Sequence, residues 1–162
     1  KRLDSVIFNS EFSKKRAENK GILKFQKSHI VYPPVDFKRI KKTGKEKKQF
    51  FYITRMNPPK RQDLLIEAWK KFARKSKGYN LVIGGTFDNK NYVEKLKKLA
   101  GKSKDIEINT NISDEKFGRI IGNSIAGIFL GYQEDAGIIP LEIINLKKPD
   151  NIHKNQRCCR CD

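Results

Sequence analysis

From Phe50 onward the sequence alternates short apolar runs with stretches whose apolar residues recur at helical spacing, and this alternation constrains the fold more than any other feature. Phe50-Phe51-Tyr52-Ile53-Thr54 reads as a strand, Asn57-Pro58-Pro59 as a turn, and residues 61–76 as a helix with Leu64, Leu65, Ala68, Trp69 and Phe72 on one apolar stripe. Trp69 is then a core residue. The next unit is a strand at Leu81-Val82-Ile83 ending at Gly84-Gly85, followed by a helix over 91–100 carrying Tyr92, Val93, Leu96 and Leu99 on one face. Ile106 and Ile108 mark a third strand, Ser113 caps a helix with Phe117, Ile120 and Ile121, and Ile125 to Leu130 is a fourth strand. A last helix starts near Pro140, a favoured first helical position. Strands joined by amphipathic helices require right-handed crossovers and a parallel sheet buried on both faces, so the expected class is α/β.

Upstream of this unit, Ser5-Val6-Ile7-Phe8 reads as a strand, Asn9 or Ser10 as the cap of a helix over 11–20 stopped by Gly21, and His29-Ile30-Val31-Tyr32 as a strand ended by Pro33-Pro34. Residues 38–48 are almost all charged or turn-forming and read as an exposed loop. The organisation expected is a remnant domain over 1–32, a hinge over 33–48, a ligand-binding domain over 49–149 and a disordered or artefactual tail over 150–162. All three cysteines, Cys158, Cys159 and Cys161, lie in that tail with His153 upstream. This is half of a tetrahedral Cys/His pattern, so no metal is expected.

In 162 residues, 36 Lys and Arg against 18 Asp and Glu give a formal net charge of +18. A field of that sign attracts phosphates, anionic headgroups or nucleic acid without choosing among them. A basic, non-enzymatic nucleic-acid-binding domain is the alternative on charge alone, yet no helix-turn-helix, RNP or zinc-finger pattern accompanies it, and no specific nucleic acid is expected. No apolar run approaches the ~20 residues of a membrane-spanning helix, and no secretory signal opens the sequence, so a cytoplasmic setting is expected, with an anionic membrane surface as a peripheral partner.

In parallel sheets, ligands bind beyond the carboxyl ends of the strands. There the sequence places Arg55 and Lys60, two cations in a turn entering a helix, suited to a diphosphate. Gly84 and Gly85 follow the second strand, where a missing Cβ would let a ligand approach the backbone. After the fourth strand, an acidic and glycine-containing loop runs from Gly131 into the helix at Pro140, with Glu134 and Glu142 at its two ends.

These residues resemble a family. Ile53-Thr54-Arg55-Met56-Asn57-Pro58-Pro59-Lys60 with Leu64-Leu65-Ile66-Glu67-Ala68, then Leu81 to Gly85, Ile112-Ser113-Asp114-Glu115 and the E-x7-E spacing from Glu134 to Glu142, are similar, in order, to motifs of family 4 glycosyltransferases, retaining enzymes of the GT-B fold. Phe8 to Ser13 and Val31 to Asp36 resemble the end of that family's acceptor domain and its hinge, and Tyr32 to Asp36 with Glu134-Asp135 looks mannosyltransferase-like.

The resemblance implies a Rossmann-like donor domain that takes a GDP- or UDP-sugar without a metal and transfers a hexose to a glycan or lipid-linked acceptor. It assigns the donor diphosphate to Arg55 and Lys60, the sugar to Glu134, Ala136, Gly137 and Ile138, and the ribose to Glu142; no residue receives a catalytic role. Thr54 and Ala136 depart from the family's usual glycine and aromatic. After Pro149 the family's next strand gives way to the cysteine tail, so the chain reads as a fragment not expected to catalyse transfer alone.

Overall fold

The computed structural model describes residues 2–21, 24–34, 45–130, 138, 140–141 and 150–152. Two parallel sheets are present. The first is a β-α-β unit: β1 (Arg2–Phe8), α1 (Glu11–Asn19) and β2 (Lys24–Ile30), with Leu3 opposite Phe25 and Phe8 opposite Ile30. Ser10 caps α1 as the sequence suggests, its hydroxyl accepting the Ser13 N–H at 3.1 Å, and Gly21 follows the helix with φ +58°. Strand β2 begins and ends earlier than the apolar run His29–Tyr32 suggests. Its extent is set by backbone pairing with β1, which continues as far as Val31 N–H donating to the Phe8 carbonyl; Val31 and Tyr32 are left exposed.

The second sheet has the order β5-β4-β3-β6-β7, every pair parallel. Its elements are β3 (Lys47–Ile53), a single 3₁₀ turn at Pro58–Lys60, α2 (Gln62–Lys75), β4 (Asn80–Gly85), α3 (Lys90–Ala100), β5 (Ile106–Thr110), α4 (Asp114–Asn123), β6 (Ser124–Phe129) and β7 (Asp150–Ile152). The expected α/β class and all four expected strands of this unit are present. Strand β3 starts three residues before Phe50, inside the stretch assigned to the hinge, because Lys47 pairs with Ser124 and Gln49 with Asn80. Asp150–Ile152, the first residues of the expected tail, form the edge strand β7 against Gly127–Phe129. Three residues are too few to carry an apolar periodicity, so the local sequence gives no sign of this strand. Ile138, Pro140 and Leu141 have helical backbone; the rest of the expected last helix lies outside the described residues.

Period-two alternation in the central strands divides the core between the two faces. Tyr52, Leu81 and Ile83 face α2 and α3 and pack with Leu65, Ile66, Trp69, Tyr92, Val93 and Leu96. Phe51, Ile53 and Val82 point the other way, onto Phe117, Ile120 and Ile121 of α4. The indole of Trp69 is buried and its Nε1–H donates to Asp105 Oδ2 at 2.7 Å, which satisfies its one polar group. Ser113 caps α4 by accepting the Lys116 N–H. No helix among the described residues is long and apolar enough to cross a membrane.

The buried face of α2 differs from the expected stripe. It consists of Gln62, Leu65, Ile66 and Trp69, spaced i, i+3, i+4 and i+7, while Leu64 and Ala68 are exposed and Phe72 is at the margin. An apolar residue at every second or third position allowed two helical phases, and the polar Gln62 concealed the one adopted. Ile66→Ala is expected to cost about 2–5 kcal/mol by cavity formation, whereas Leu64→Ala stays within about 0.5 kcal/mol; urea denaturation of the two variants checks the assignment.

Candidate functional site

The chain runs from β3 through β4 to β5 in one direction, then returns across the sheet to β6 on the far side of β3. The strand order reverses between β3 and β6, and the crevice beyond their carboxyl ends is where a sheet of this kind receives a ligand. The segment following β3, Thr54–Arg61, lies at that switch, and Arg55 and Lys60 are both in it.

Backbone contacts fix this segment. The ladder between β3 and β4 extends past the strand ends: Thr54 N–H donates to the Gly84 carbonyl at 2.9 Å, Met56 N–H to the Thr86 carbonyl at 2.7 Å, and Met56 bridges Phe87. Tyr52 Oη donates to the Lys60 carbonyl at 2.7 Å, anchoring the 3₁₀ turn. The buried Gln62 amide donates through Nε2 to the Arg55 carbonyl at 3.0 Å. The Arg55 backbone is therefore held from below while its side chain is 60% exposed and pairs at 3.5 Å with Asp88, itself 59% exposed.

Gly84 and Gly85 lie inside β4 rather than beyond it, and the space their Cβ atoms would need is taken up by internal packing. A Cβ on Gly84 would lie 2.2 Å from Ile112 Cδ1, and one on Gly85 would lie 2.1 Å from the Thr54 carbonyl oxygen. Gly85 also has φ +136°, a conformation side-chain-bearing residues avoid. Asn111, with φ +53°, continues this close packing by donating its N–H to the Gly85 carbonyl at 3.1 Å.

The N-terminus of α2 is less open to an anion than the sequence implies. Asp63 sits in its first turn and accepts the Leu64 N–H, while the Asp63 N–H meets the Tyr92 hydroxyl at 3.4 Å. Tyr92 Oη lies 3.1 Å from Asp63 Oδ1 and 3.3 Å from Gln62 Oε1, and Lys95 Nζ donates to Asp63 Oδ2 at 2.7 Å. Partial burial raises the Asp63 carboxyl, but hydrogen bonds from Lys95, the Leu64 amide and Tyr92 outweigh it and hold Asp63 below its ordinary value. Burial, with the Asp63 charge adding to it, pushes the Tyr92 hydroxyl up to about 12. Among the described residues, the cations at this end include Arg55, Lys60 and Arg61.

Of the other expected residues, Ile138 is on the surface with 37% exposure and Pro140 is buried. Glu134, Ala136, Gly137 and Glu142 lie outside the described residues. Sequence reasoning missed Gln62, Tyr92 and Asp88. Gln62 was detectable as a polar residue in phase with Leu65, Ile66 and Trp69; Asp88 carried no local signal, because only the β3–β4 ladder brings it to Arg55.

A sequence model described as "Glycosyl transferases group 1" matches residues 35–150. None of the curated proteins compared matches the chain. Among solved structures, TarM aligns at a TM-score of 0.69 and 20% identity, over 90% of this chain and 28% of its own. HepE of Anabaena, solved with UDP and glucose, aligns at 0.71 and 15% identity, over 91% of this chain and 43% of its own. A glycosyltransferase from Rickettsia africae aligns at 0.71 and 18% identity over the same two shares. At these identities the likeness shows a common fold, and this chain spans less than half the length of each.

Two outcomes test the geometry. Gly85→Ala is expected to destabilise the chain by roughly 1–3 kcal/mol, the cost of a strained conformation held in place, as measured by chemical denaturation. Because Asp63 is depressed on folding, its stabilisation is full above the unfolded carboxyl pKa near ~4 and is lost as pH falls through the lower folded value. Asp63→Asn should flatten the acid limb of a stability–pH curve in that window, leaving the curve between pH ~6 and ~8 unchanged in shape.

Proposed function

The chain belongs to the glycosyl transferases group 1 family, and from that premise we propose that it forms the donor-binding part of an enzyme that transfers a sugar from a nucleoside diphosphate to a glycan or lipid-linked acceptor. The observation that carries this reading is the position of the Thr54–Arg61 segment: it lies at the reversal of strand order with a backbone anchored by Tyr52 and Gln62 and the Arg55 head group in solvent. A rigid backbone presenting an exposed cation, held only by a solvent-screened ion pair to Asp88, at a switch point suits a diphosphate, since little backbone ordering remains to be done on binding.

In this reading Arg55 and Lys60 neutralise the diphosphate. Guanidinium offers paired donors to phosphate oxygens, and the Lys60 ammonium adds a point charge. Glu134 receives hydroxyls of the transferred sugar, with the backbone of Ala136, Gly137 and Ile138 beside it, and Glu142 accepts hydrogen bonds from the ribose. The resemblance to family 4 enzymes implies front-face transfer with retention, assisted by the leaving diphosphate itself, with the two carboxylates binding hydroxyls rather than acting as nucleophile. The transferred group is a hexose. UDP is the first nucleotide to test because HepE was solved with UDP and glucose; GDP is the second, because Tyr32 to Asp36 resembles mannosyltransferases.

Calorimetric titration with UDP, GDP, ADP and their hexose conjugates should show saturable binding to one base. Arg55→Ala and Glu142→Ala should each weaken it by roughly 1–3 kcal/mol, the range for losing a charged hydrogen bond. Equal, weak binding of every polyanion, unchanged in both variants, would remove the reading.

A further inference from the structure

Asp88 is the only acid between Glu67 and Glu94, a stretch that carries Lys70, Lys71, Arg74, Lys75, Lys77 and Lys90. Among the described residues its ion pair is with none of these. Asp88 Oδ2 lies instead 3.5 Å from Nη1 of Arg55, in the segment that follows the neighbouring strand.

Both sides of this contact are anchored by the main chain. Phe87, just before Asp88, packs against the core and bridges Met56, and Asn89, just after it, caps α3 by accepting the Tyr92 N–H at 3.1 Å. On the other side, Met56 N–H donates to the Thr86 carbonyl and the Gln62 amide donates to the Arg55 carbonyl. Much of the ordering that an exposed ion pair ordinarily has to supply is therefore already done. A carboxylate one residue before a cap also suits the positive end of a helix. That accounts for an acid at position 88, but not for its pairing across the β3–β4 ladder with the cation at the switch point.

We propose that Asp88 is an intrachain competitor for the donor diphosphate: its carboxylate holds the Arg55 guanidinium until an entering diphosphate displaces it, so Asp88 sets how tightly the nucleotide is held. The proposal rests on the donor reading above. A group that occupies one contact weakens every ligand using that contact by the same factor. For a transferase the factor applies both to the donor that enters and to the nucleoside diphosphate left after transfer. The carboxylate thus lowers retention of the product at the expense of donor affinity. An exposed pair whose backbone is already ordered accounts for a factor of about three to five.

The test is calorimetric titration of the chain with UDP, and with GDP should UDP not bind. Asp88→Asn keeps the shape of the side chain and removes its charge, and is expected to bind the nucleotide about three- to fivefold more tightly than the wild type. Because salt screens the exposed pair, the advantage should shrink to less than about twofold between about 50 mM and about 500 mM KCl. Glu94→Gln, an equal charge change on α3 at a residue paired with Lys97, should alter the affinity by less than about 1.5-fold. Circular dichroism confirms that each variant is folded. Unchanged or weaker binding by Asp88→Asn, with binding still diminished in Arg55→Ala, would overturn the proposal and leave the donor reading standing. Equal tightening in Glu94→Gln would overturn it by showing that net charge alone acts, and an advantage insensitive to salt would overturn it by showing a change of conformation instead. Absence of saturable UDP or GDP binding in both the wild type and Asp88→Asn would overturn the proposal together with the donor reading.

Discussion

The structure of the larger sheet depends on the burial of β3 from both sides. Phe51 and Tyr52 have no exposed surface and Ile53 has 5%, so consecutive residues of one strand are committed to opposite layers. Tyr52 belongs to the layer of α2 and α3, Phe51 and Ile53 to that of α4. A shift of one residue in register would exchange these layers and place each side chain against the wrong helix. The same strand has β4 on one edge and β6 on the other, so the register that fills the core also fixes where the strand order reverses. Packing and site placement are thus consequences of a single arrangement.

The sequence made this arrangement readable wherever the pattern was redundant. Alternation in Phe50–Ile53, Leu81–Ile83 and Ile106–Ile108 agreed with helical spacing in the intervening segments and with caps at Ser10 and Ser113, and the strands and helices appear where those signals coincide. It was less readable where one signal stood alone. The apolar stripe through Leu64, Leu65, Ala68, Trp69 and Phe72 is about one residue out of phase with the buried face, which includes the polar Gln62, whose amide has polar partners at both of its ends. Strand β7 and the early start of β2 are stabilised by pairing with a neighbour, a long-range contact that leaves little mark on the local sequence.

The candidate site shows the same division. Arg55 and Lys60 were found by their position after a strand, and the fold puts their segment at the switch point. What holds them was not legible, because the Tyr52 hydroxyl, the Gln62 amide and the Tyr92 hydroxyl read as ordinary core or helix residues until tertiary structure orients them. The glycine pair adds a packing constraint. Two glycines near an expected ligand edge suggest backbone access, yet the volume that their Cβ atoms would occupy belongs to Ile112 and to the Thr54 carbonyl. Their role is to let three neighbouring segments close on one another at the end of the sheet, and the shape of the edge follows from that closure.

The Arg55–Asp88 pair connects this closure to binding. The extended β3–β4 ladder sets Asp88 beside Arg55 with backbone hydrogen bonds of 2.7 and 2.9 Å, so their proximity is imposed by the main chain rather than by attraction between the side chains. With both groups more than half exposed, the ion pair itself is weak, since water and salt screen it at little cost. In the proposed donor site a diphosphate would bring at least two charges and several oxygens to the guanidinium, against one carboxylate, and would exchange partners there without disturbing Gln62 or Tyr52 below. In that proposal the rigid part of the segment is separated from the part that moves, the backbone being held by partly buried neutral hydrogen bonds and only the exposed head group having to reorient.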